Sequence, residues 1–490
     1  MVCRNNAVAK SSAKREWKSE PVSNFSERTF DVAVIGAGPA GIAAAASAAQ
    51  SGARVAVIDD NAAPGGQIWR TGTKQSAYPE AAHWIQALSS SGAVVFSSAR
   101  LFHVEQFASG SEKSGSEKNE QSSQLGSGDG VAVTSLTRMF HVEHFALDVE
   151  TADDSFRIRC KKIVLATGAR ELFLPFPGWT LPNVLGAGGL QALAKSGLPL
   201  EGKRIIVAGT GPLLLAAAAY FVEHGATVLC ICEQAPLNPL SRFTLTLLAF
   251  PEKLREAAKL RYRARNAPYL LNAWPVAALG QDRLHAVRIS VGGTVREMEC
   301  DYLACGFHLV PNLEIAKALR CHLLDGFVQV NDYQETSEPG VFCAGEPTGI
   351  GGVELSLVEG QIAGYAAAGR SNEARKFFAK RARYQKLVPA MRSAFSLRPE
   401  LANLAQPDTL LCRCEDVPVE TARKHGGWRP AKLHTRCGMG PCQGRVCGAA
   451  AEFLFGWNID SWRPPIFPVR CSTLAAVSAA TSLSQIGGVQ

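Results

Sequence analysis

The sequence predicts an α/β protein built on two dinucleotide-binding βαβ units, one inside the other, with a small cysteine-rich module near the end of the chain. Three observations carry this expectation. A glycine fingerprint sits between two strands near residue 36, a second unit of the same kind begins near residue 204, and five cysteines crowd into residues 412–447. At 490 residues and 47% hydrophobic composition the chain can bury large cores, and a single core stops growing well before this length, so two or three domains are expected.

The chain opens with a polar stretch, residues 1–29, without the apolar run of a secretion signal, and reads as a flexible extension. Phe30-Asp-Val-Ala-Val-Ile35 is an apolar run of strand length. It leads into Gly36-Ala-Gly38-Pro-Ala-Gly41, an alanine-rich helix to about Ser51 and a second strand, Val55-Ala-Val-Ile-Asp59. With strand and helix in place the glycines form a dinucleotide fingerprint. Gly36 permits the tight turn, Gly38 lets the backbone approach a pyrophosphate, and Gly41 lets the helix sit against the strand with its N-terminus facing the phosphates. Asp59, 23 residues after Gly36, can accept hydrogen bonds from an adenosine ribose.

A glycine loop, Pro64-Gly65-Gly66-Gln67, follows. Leu101-Phe-His-Val-Glu-Gln-Phe-Ala108 then recurs as Met139-Phe-His-Val-Glu-His-Phe-Ala146. Between the two copies, residues 109–130 are dominated by Ser, Gly, Glu and Lys, which cannot build a core, and read as a disordered insertion. His103, His141 and His144 have no carboxylate or cysteine framework beside them and are not taken as metal ligands. Ile163-Val-Leu-Ala-Thr167-Gly168 is a strand ending in a small-residue turn.

The second unit runs Arg204-Ile-Ile-Val-Ala208, Gly209-Thr-Gly211-Pro-Leu-Leu214, a helix to His224, and Thr227-Val-Leu-Cys-Ile-Cys-Glu233. Leu214 replaces the third glycine. Glu233 would repel a 2′-phosphate, so the expected ligand is NAD or another adenine nucleotide rather than NADP, with a vestigial fold as the alternative. Gly340-Val-Phe-Cys-Ala-Gly345-Glu346 is a further strand and turn.

Residues 370–392 hold eight basic side chains against Glu373 and nearly account for the net charge of +8. Phe377, Phe378 and Tyr384 could anchor an amphipathic helix there with its charges in water. No nucleic-acid-binding module accompanies the patch, so nucleic acid is not expected as a partner. No stretch approaches the length of a transmembrane segment, and the cytoplasm is the expected location. Fourteen cysteines then read as thiols and metal ligands rather than disulfides.

Cys412-Arg-Cys414 and Cys442-Gln-Gly-Arg-Val-Cys447 supply Cys-x-Cys and Cys-x4-Cys arms on glycine-rich loops, which can wrap a [2Fe-2S] cluster. Cys412, Cys414, Cys442 and Cys447 are the expected ligands, with Cys437 a spare thiol at the turn. Zinc and unliganded core thiols are the competing readings; zinc fits less well because only Arg413 separates the first pair.

Thr435-Arg-Cys-Gly-Met-Gly-Pro-Cys-Gln-Gly-Arg-Val-Cys447 resembles the ferredoxin-like domain at the end of several flavoprotein dehydrogenases. Pro64-Gly65-Gly66-Gln67 resembles the loop that two-dinucleotide-domain flavoproteins pass along the flavin, which implies FAD, with Thr167, Gly168, Gly345 and Glu346 beside it. In that family the last turn usually ends Gly-Asp, the carboxylate binding the ribityl chain; Glu346 keeps the charge with one more methylene. The resemblance implies a glutathione-reductase-like flavoprotein: an FAD-binding domain over 30–180 and 306–370, a second dinucleotide-binding domain inserted over 181–305, a basic helical linker over 371–410, and a ferredoxin-like [2Fe-2S] module with tail over 411–490. Trp462-Arg-Pro-Pro-Ile-Phe-Pro468 reads as an extended tail over that module.

From about residue 30 to 470 the chain resembles the flavoprotein A or alpha subunits of opine oxidases, hydroxyproline and proline dehydrogenases, and hydrogen cyanide synthase. This implies an electron-transfer component of a heteromeric enzyme acting on C–N bonds. Its partner would be an amine-oxidase-like FAD beta subunit, and a small ferredoxin-like subunit would be a further component. A self-sufficient NADH:acceptor oxidoreductase and a non-catalytic nucleotide-binding scaffold are the alternatives. No Cys-x-x-Cys follows the first glycine loops, which disfavours disulfide reduction. No constellation for a carboxylate substrate is visible, so no catalytic residue is assigned.

Overall fold

The computed structural model describes residues 26–69, 79–108, 142–459 and 462–486. The insertion at 109–130, and His141 with it, lies outside the described residues.

Residues 32–35 alternate between two cores, as a strand covered on both faces must. Val32 and Val34 join one apolar cluster, while Ala33 and Ile35 join the other. This strand, Ser26–Ile35, is central in a seven-stranded sheet ordered Val94–Phe96, Val55–Ile58, Ser26–Ile35, Ser155–Leu165, Val142–Glu150, Arg100–Ala108. The short strand Val341–Cys343 also pairs with Ser155–Leu165. Pairing is parallel from Val94–Phe96 to Ser155–Leu165 and antiparallel beyond it.

Among the described residues the two copies of the repeat meet only at their ends across one antiparallel ladder, Gln106 opposite Phe145, Phe107 opposite His144 and Ala108 opposite Val142. Their histidines are held apart. His103 bonds Asp148 at 2.9 Å, and His144 stacks on Phe107. The Asp148 hydrogen bond raises the His103 pKa.

The alanine-rich helix Pro39–Gln50 is almost wholly buried because a second helix, Val353–Ala367, lies against it. A Cβ at Gly360 or Gly364 would come within 2.2 Å of the Ala40 or Ala44 carbonyl oxygen, so only small residues permit this backbone approach. The first domain is thus completed by residues more than 300 positions along the chain.

Between its two parts lies a five-stranded parallel sheet ordered Tyr269–Leu271, Thr227–Glu233, Arg204–Gly209, Tyr302–Gly306, Val184–Gly186. The antiparallel ribbon Ala273–Leu279, Ala286–Val291, Thr294–Glu299 lies beside it. The chain leaves and re-enters the first domain through one antiparallel pair, Ala169–Glu171 with Leu309–Pro311.

The basic segment forms three short helices, Ser371–Arg375, Phe378–Gln385 and Leu387–Ala394, instead of one amphipathic helix. Tyr384 is buried, and so is one of the charges expected in water: Arg381 is 8% exposed and bonds the Asp332 carboxylate and carbonyl.

The cysteine module packs around Trp428, Leu411, Val417, Ala422 and Ala450. Its tail bridges the module and the first sheet, with Arg445 of the cysteine loop over the Trp462 and Phe467 rings. Ile466 enters the core of the first sheet with its N–H bonded to the Phe102 carbonyl, and Arg470 bonds Glu150 at 2.8 Å.

Candidate functional site

The first glycine turn has the form a pyrophosphate requires. A Cβ placed on Gly41 would strike the Gly36 carbonyl oxygen at 1.8 Å, so the helix start rests on the turn, while a Cβ on Gly38 would meet nothing within 4 Å. The open direction at Gly38 points into the approach space. Asp59, 4% exposed at the end of its strand, accepts from the Ala37 N–H, and from the Asn61 N–H at 2.7 Å. It thereby ties the turn to the second strand.

The Pro64–Gln67 loop closes one side. The Gly65 N–H donates to the Ala37 carbonyl at 2.8 Å, and a Cβ on Gly66 would lie 2.9 Å from Gly38 Cα; Gln67 is exposed. On the other side the Thr167–Gly168 turn is held by Asn312. Thr167 Oγ1 donates to the Asn312 carbonyl at 2.7 Å, Asn312 Nδ2 to the Thr167 carbonyl at 2.8 Å, and the Asn312 N–H to the Gly168 carbonyl at 2.9 Å.

Glu346 follows Gly345 into this region from the strand Val341–Cys343. Its Oε1 accepts from the Gly352 N–H at 3.3 Å, but its Oε2 is buried with no hydrogen-bond partner. Burial pushes its carboxyl up to about 7, and the nearby Glu359 adds to the rise. A buried acceptor without a donor is costly unless a ligand hydroxyl completes it. The orphaned oxygen and the open face at Gly38 both fit FAD.

Glu359, which the sequence did not mark, lies behind Glu346 on the helix Val353–Ala367. Its Oε2 accepts from the Gly345 N–H at 2.9 Å and from Thr348 Oγ1 at 2.8 Å. Burial raises its carboxyl to about 7. Another unmarked acid, Glu171, accepts from the N–H groups of Gly188 and Gly189 at 2.8 and 3.0 Å, at the start of the helix Ala187–Lys195. Neither acid belongs to a local motif, since each meets partners that only the fold brings near.

The second glycine turn differs from the first in its third position and its backbone. Leu214, in place of the third glycine, is fully buried and packs toward Gly306. Glu233 is 0% exposed, accepting from Thr210 Oγ1 at 2.6 Å and from the N–H groups of Gly211 and Ala235 at 2.8 and 2.9 Å. Gly211 has φ 95° where Gly38 has φ −76°, and a Cβ on it would lie 3.9 Å from Phe395 Cγ, at van der Waals contact. Gln234 clamps the segment carrying that ring, donating to the Ser396 carbonyl at 3.0 Å and accepting from the Arg398 N–H at 3.1 Å.

In the cysteine module all five thiols converge. The sulfurs of Cys412, Cys437 and Cys447 lie within 4.8 Å of one another, all buried. Cys442 hydrogen-bonds Cys447 and Cys414, the last being exposed. Hydrogen bonds from Cys437 and Cys447 hold Cys412 far below the ordinary thiol range, and Cys447 with other donors brings Cys442 down to about 5. The donating Cys437 and Cys447 are pushed up in turn.

The structure thus brings the four expected ligands together but places Cys437 in the tightest group with Cys412 and Cys447. Trp428, also missed, fixes the loop, because a Cβ on Gly438 or Gly444 would lie within 3 Å of its ring. A donor set made only of sulfur fits iron–sulfur or zinc.

Residues 30–370 match the family described as pyridine nucleotide-disulphide oxidoreductase. The chain is 30% identical to the A subunit of opine oxidase from Agrobacterium tumefaciens (strain Ach5), over 91% of each chain. It is also 30% identical to the HcnB subunit of hydrogen cyanide synthase from Pseudomonas aeruginosa, over 66% of this chain and 76% of the relative. In fold it is similar to L-proline dehydrogenase from P. horikoshii, with a TM-score of 0.59 and 19% identity over 92% of this chain and 80% of that one. Thioredoxin reductase of T. acidophilum gives a TM-score of 0.51 at 22% identity, over 70% of this chain and 99% of that one.

Proposed function

Because the chain belongs to the pyridine nucleotide-disulphide oxidoreductase family, we propose that it is the FAD- and iron–sulfur-containing electron-transfer subunit of a heteromeric dehydrogenase or oxidase acting on the C–N bond of an amino acid or opine. The observation that carries this reading is the cluster of Cys412, Cys437 and Cys447, with Cys442 and Cys414 beside it, on a module joined through Arg445 to Arg170 and Glu314 of the domain with the open glycine turn. Relatives named as subunits of opine oxidase and hydrogen cyanide synthase support a heteromeric partner. The partner proposed is an amine-oxidase-like FAD beta subunit, with a small ferredoxin-like subunit beside it, in the cytoplasm. Among the described residues no helix is long and apolar enough to cross a membrane.

When bound, a flavin exchanges an electron pair with organic donors while an iron–sulfur centre takes single electrons, which together supply conversion of a pair into single electrons. The Gly36–Gly41 turn and the N-terminus of the helix Pro39–Gln50 hold the pyrophosphate, and Asp59 keeps that turn against its strand. Glu346 Oε2, buried without a partner, would accept a hydroxyl of the bound cofactor. Cys412, Cys414, Cys442 and Cys447 would hold the metal, and burial of Cys412 and Cys447 would keep water from it.

The test is turnover by the isolated chain and by the chain with its beta partner. Alone it should contain flavin and iron yet leave opines, proline derivatives and glycine unoxidised; with the partner, electrons from one of these amines should reach an artificial acceptor. Rapid amine oxidation by the isolated chain would place the catalytic site here instead, and rapid NADH oxidation without amine turnover would establish the alternative enzyme.

A further inference from the structure

The junction between the open nucleotide site and the cysteine loop is made by one buried carboxylate between two guanidinium groups. Glu314 is 3% exposed. Its Oε1 lies 3.0 Å from Arg170 Nη1 and 3.4 Å from Arg445 Nε. Arg170 belongs to the strand Ala169–Glu171, directly after the Thr167–Gly168 turn, and its Nη1 also donates to Asn312 Oδ1 at 2.6 Å, the asparagine that fixes that turn. Arg445 lies in the cysteine loop itself.

Arg170 Nε donates to the Arg445 carbonyl at 3.1 Å, and Arg445 Nη1 donates to the Cys442 carbonyl at 3.2 Å. A continuous chain of polar contacts therefore runs from Thr167 through Asn312, Arg170, Glu314 and Arg445 to Cys442. The Arg445 guanidinium also covers the Phe467 ring at 4.2 Å and donates to the Ile466 carbonyl at 3.3 Å, so the tail holds it in place.

The charges do not balance within this triad. Two guanidinium groups, only 24% and 16% exposed, share one carboxylate, and one positive charge remains to be compensated in a poorly hydrated place. The thiolates that would hold a metal on the cysteine loop, Cys442 among them, would supply the negative charge. In return, a fixed cation beside a thiolate-bound centre favours the state that carries one more electron, since reduction adds a negative charge.

On the reading of the chain as a relay, we propose that Arg445 and Arg170, joined through Glu314, are positioning residues that seat the cysteine loop on the flavin-side turn, and that Arg445 sets the reduction potential of the centre held there. The triad thus couples the place of the cysteine loop to its electron affinity.

The test is a redox titration of the full chain followed by electron paramagnetic resonance, with flavin and iron content measured alongside. Arg445→Gln should shift the midpoint potential of the centre to more negative values, Arg445→Lys should restore most of it, and Glu314→Gln should shift it to more positive values. Opposite signs from two neighbouring substitutions separate an electrostatic role from mere loosening, which would move both alike. If Arg445→Gln fails to retain iron, the direction of the Glu314→Gln shift decides alone. Unmoved potentials, or shifts of the same sign in Arg445→Gln and Glu314→Gln, would overturn the inference and leave the relay reading intact. A native chain with no iron–sulfur signal would sink the relay reading and the inference with it.

Discussion

Glu346 and Glu359 are two carboxyls in one buried place, both raised from 4.5 to about 7 chiefly by burial. A carboxyl raised in the folded state holds its proton there while the unfolded chain has already lost its own. The flavin-free protein should therefore lose stability as the pH rises from about 4.5 to about 7 and change little from this cause above that window. Glu359→Gln keeps the acceptor for Gly345 and Thr348 without the charge. Its melting temperature should match the native chain at pH 5 and exceed it at pH 8, by the equivalent of about 3 kcal/mol at most from a shift of this size. Equal melting curves at both pH values would remove the pair from the account. Asp59 was legible in the sequence because its distance from Gly36 is fixed by one βαβ unit. Glu359 was not, because its partners Gly345 and Thr348 come from a separate loop and its surroundings read as an ordinary helix.

At the level of elements, both glycine turns were legible, and so was the cysteine loop, because each is written within a few dozen consecutive residues. Occupation of the second turn was not legible. Phe395 reaches Gly211 from about 180 positions away, and nothing local in Phe-Ser-Leu-Arg398 marks it as a segment that fills a cleft. The Phe395 ring beside Gly211 can be tested with ligands. The native chain should show little thermal stabilisation by NADH or AMP, whereas Phe395→Ala should open the space and bring measurable binding by calorimetry. At ligand concentrations a hundredfold above the dissociation constant the stabilisation would approach about 2.7 kcal/mol. Micromolar binding of NADH to the native chain would refute the closed state. The contact of the tail with the cysteine module was legible, but its second anchor was not, since Ile466 gives no local sign that it enters the core of the first sheet.

Across the whole molecule, the tail fastens the last part of the chain to the first. Ile466 is 3% exposed within the core that contains Ile35, Phe145 and Leu165. Ile466→Ala should destabilise the chain by about 3 kcal/mol, within the usual range for a buried isoleucine. It should also expose the linker near residue 400 to protease, both read by denaturant unfolding and limited proteolysis; a loss confined to the cysteine module would show that the tail serves that module alone. The same feature bears on how the protein is made. At roughly 5–20 residues per second of synthesis, some 430 residues separate Ile35 from Ile466, so the first sheet waits on the order of half a minute or more for its last core residue. The inserted domain, with its strands all within residues 184–306, can close while the ribosome is still working. The domain begun first is therefore finished last, and a nascent chain arrested before residue 466 carries an open apolar seam that a chaperone must cover.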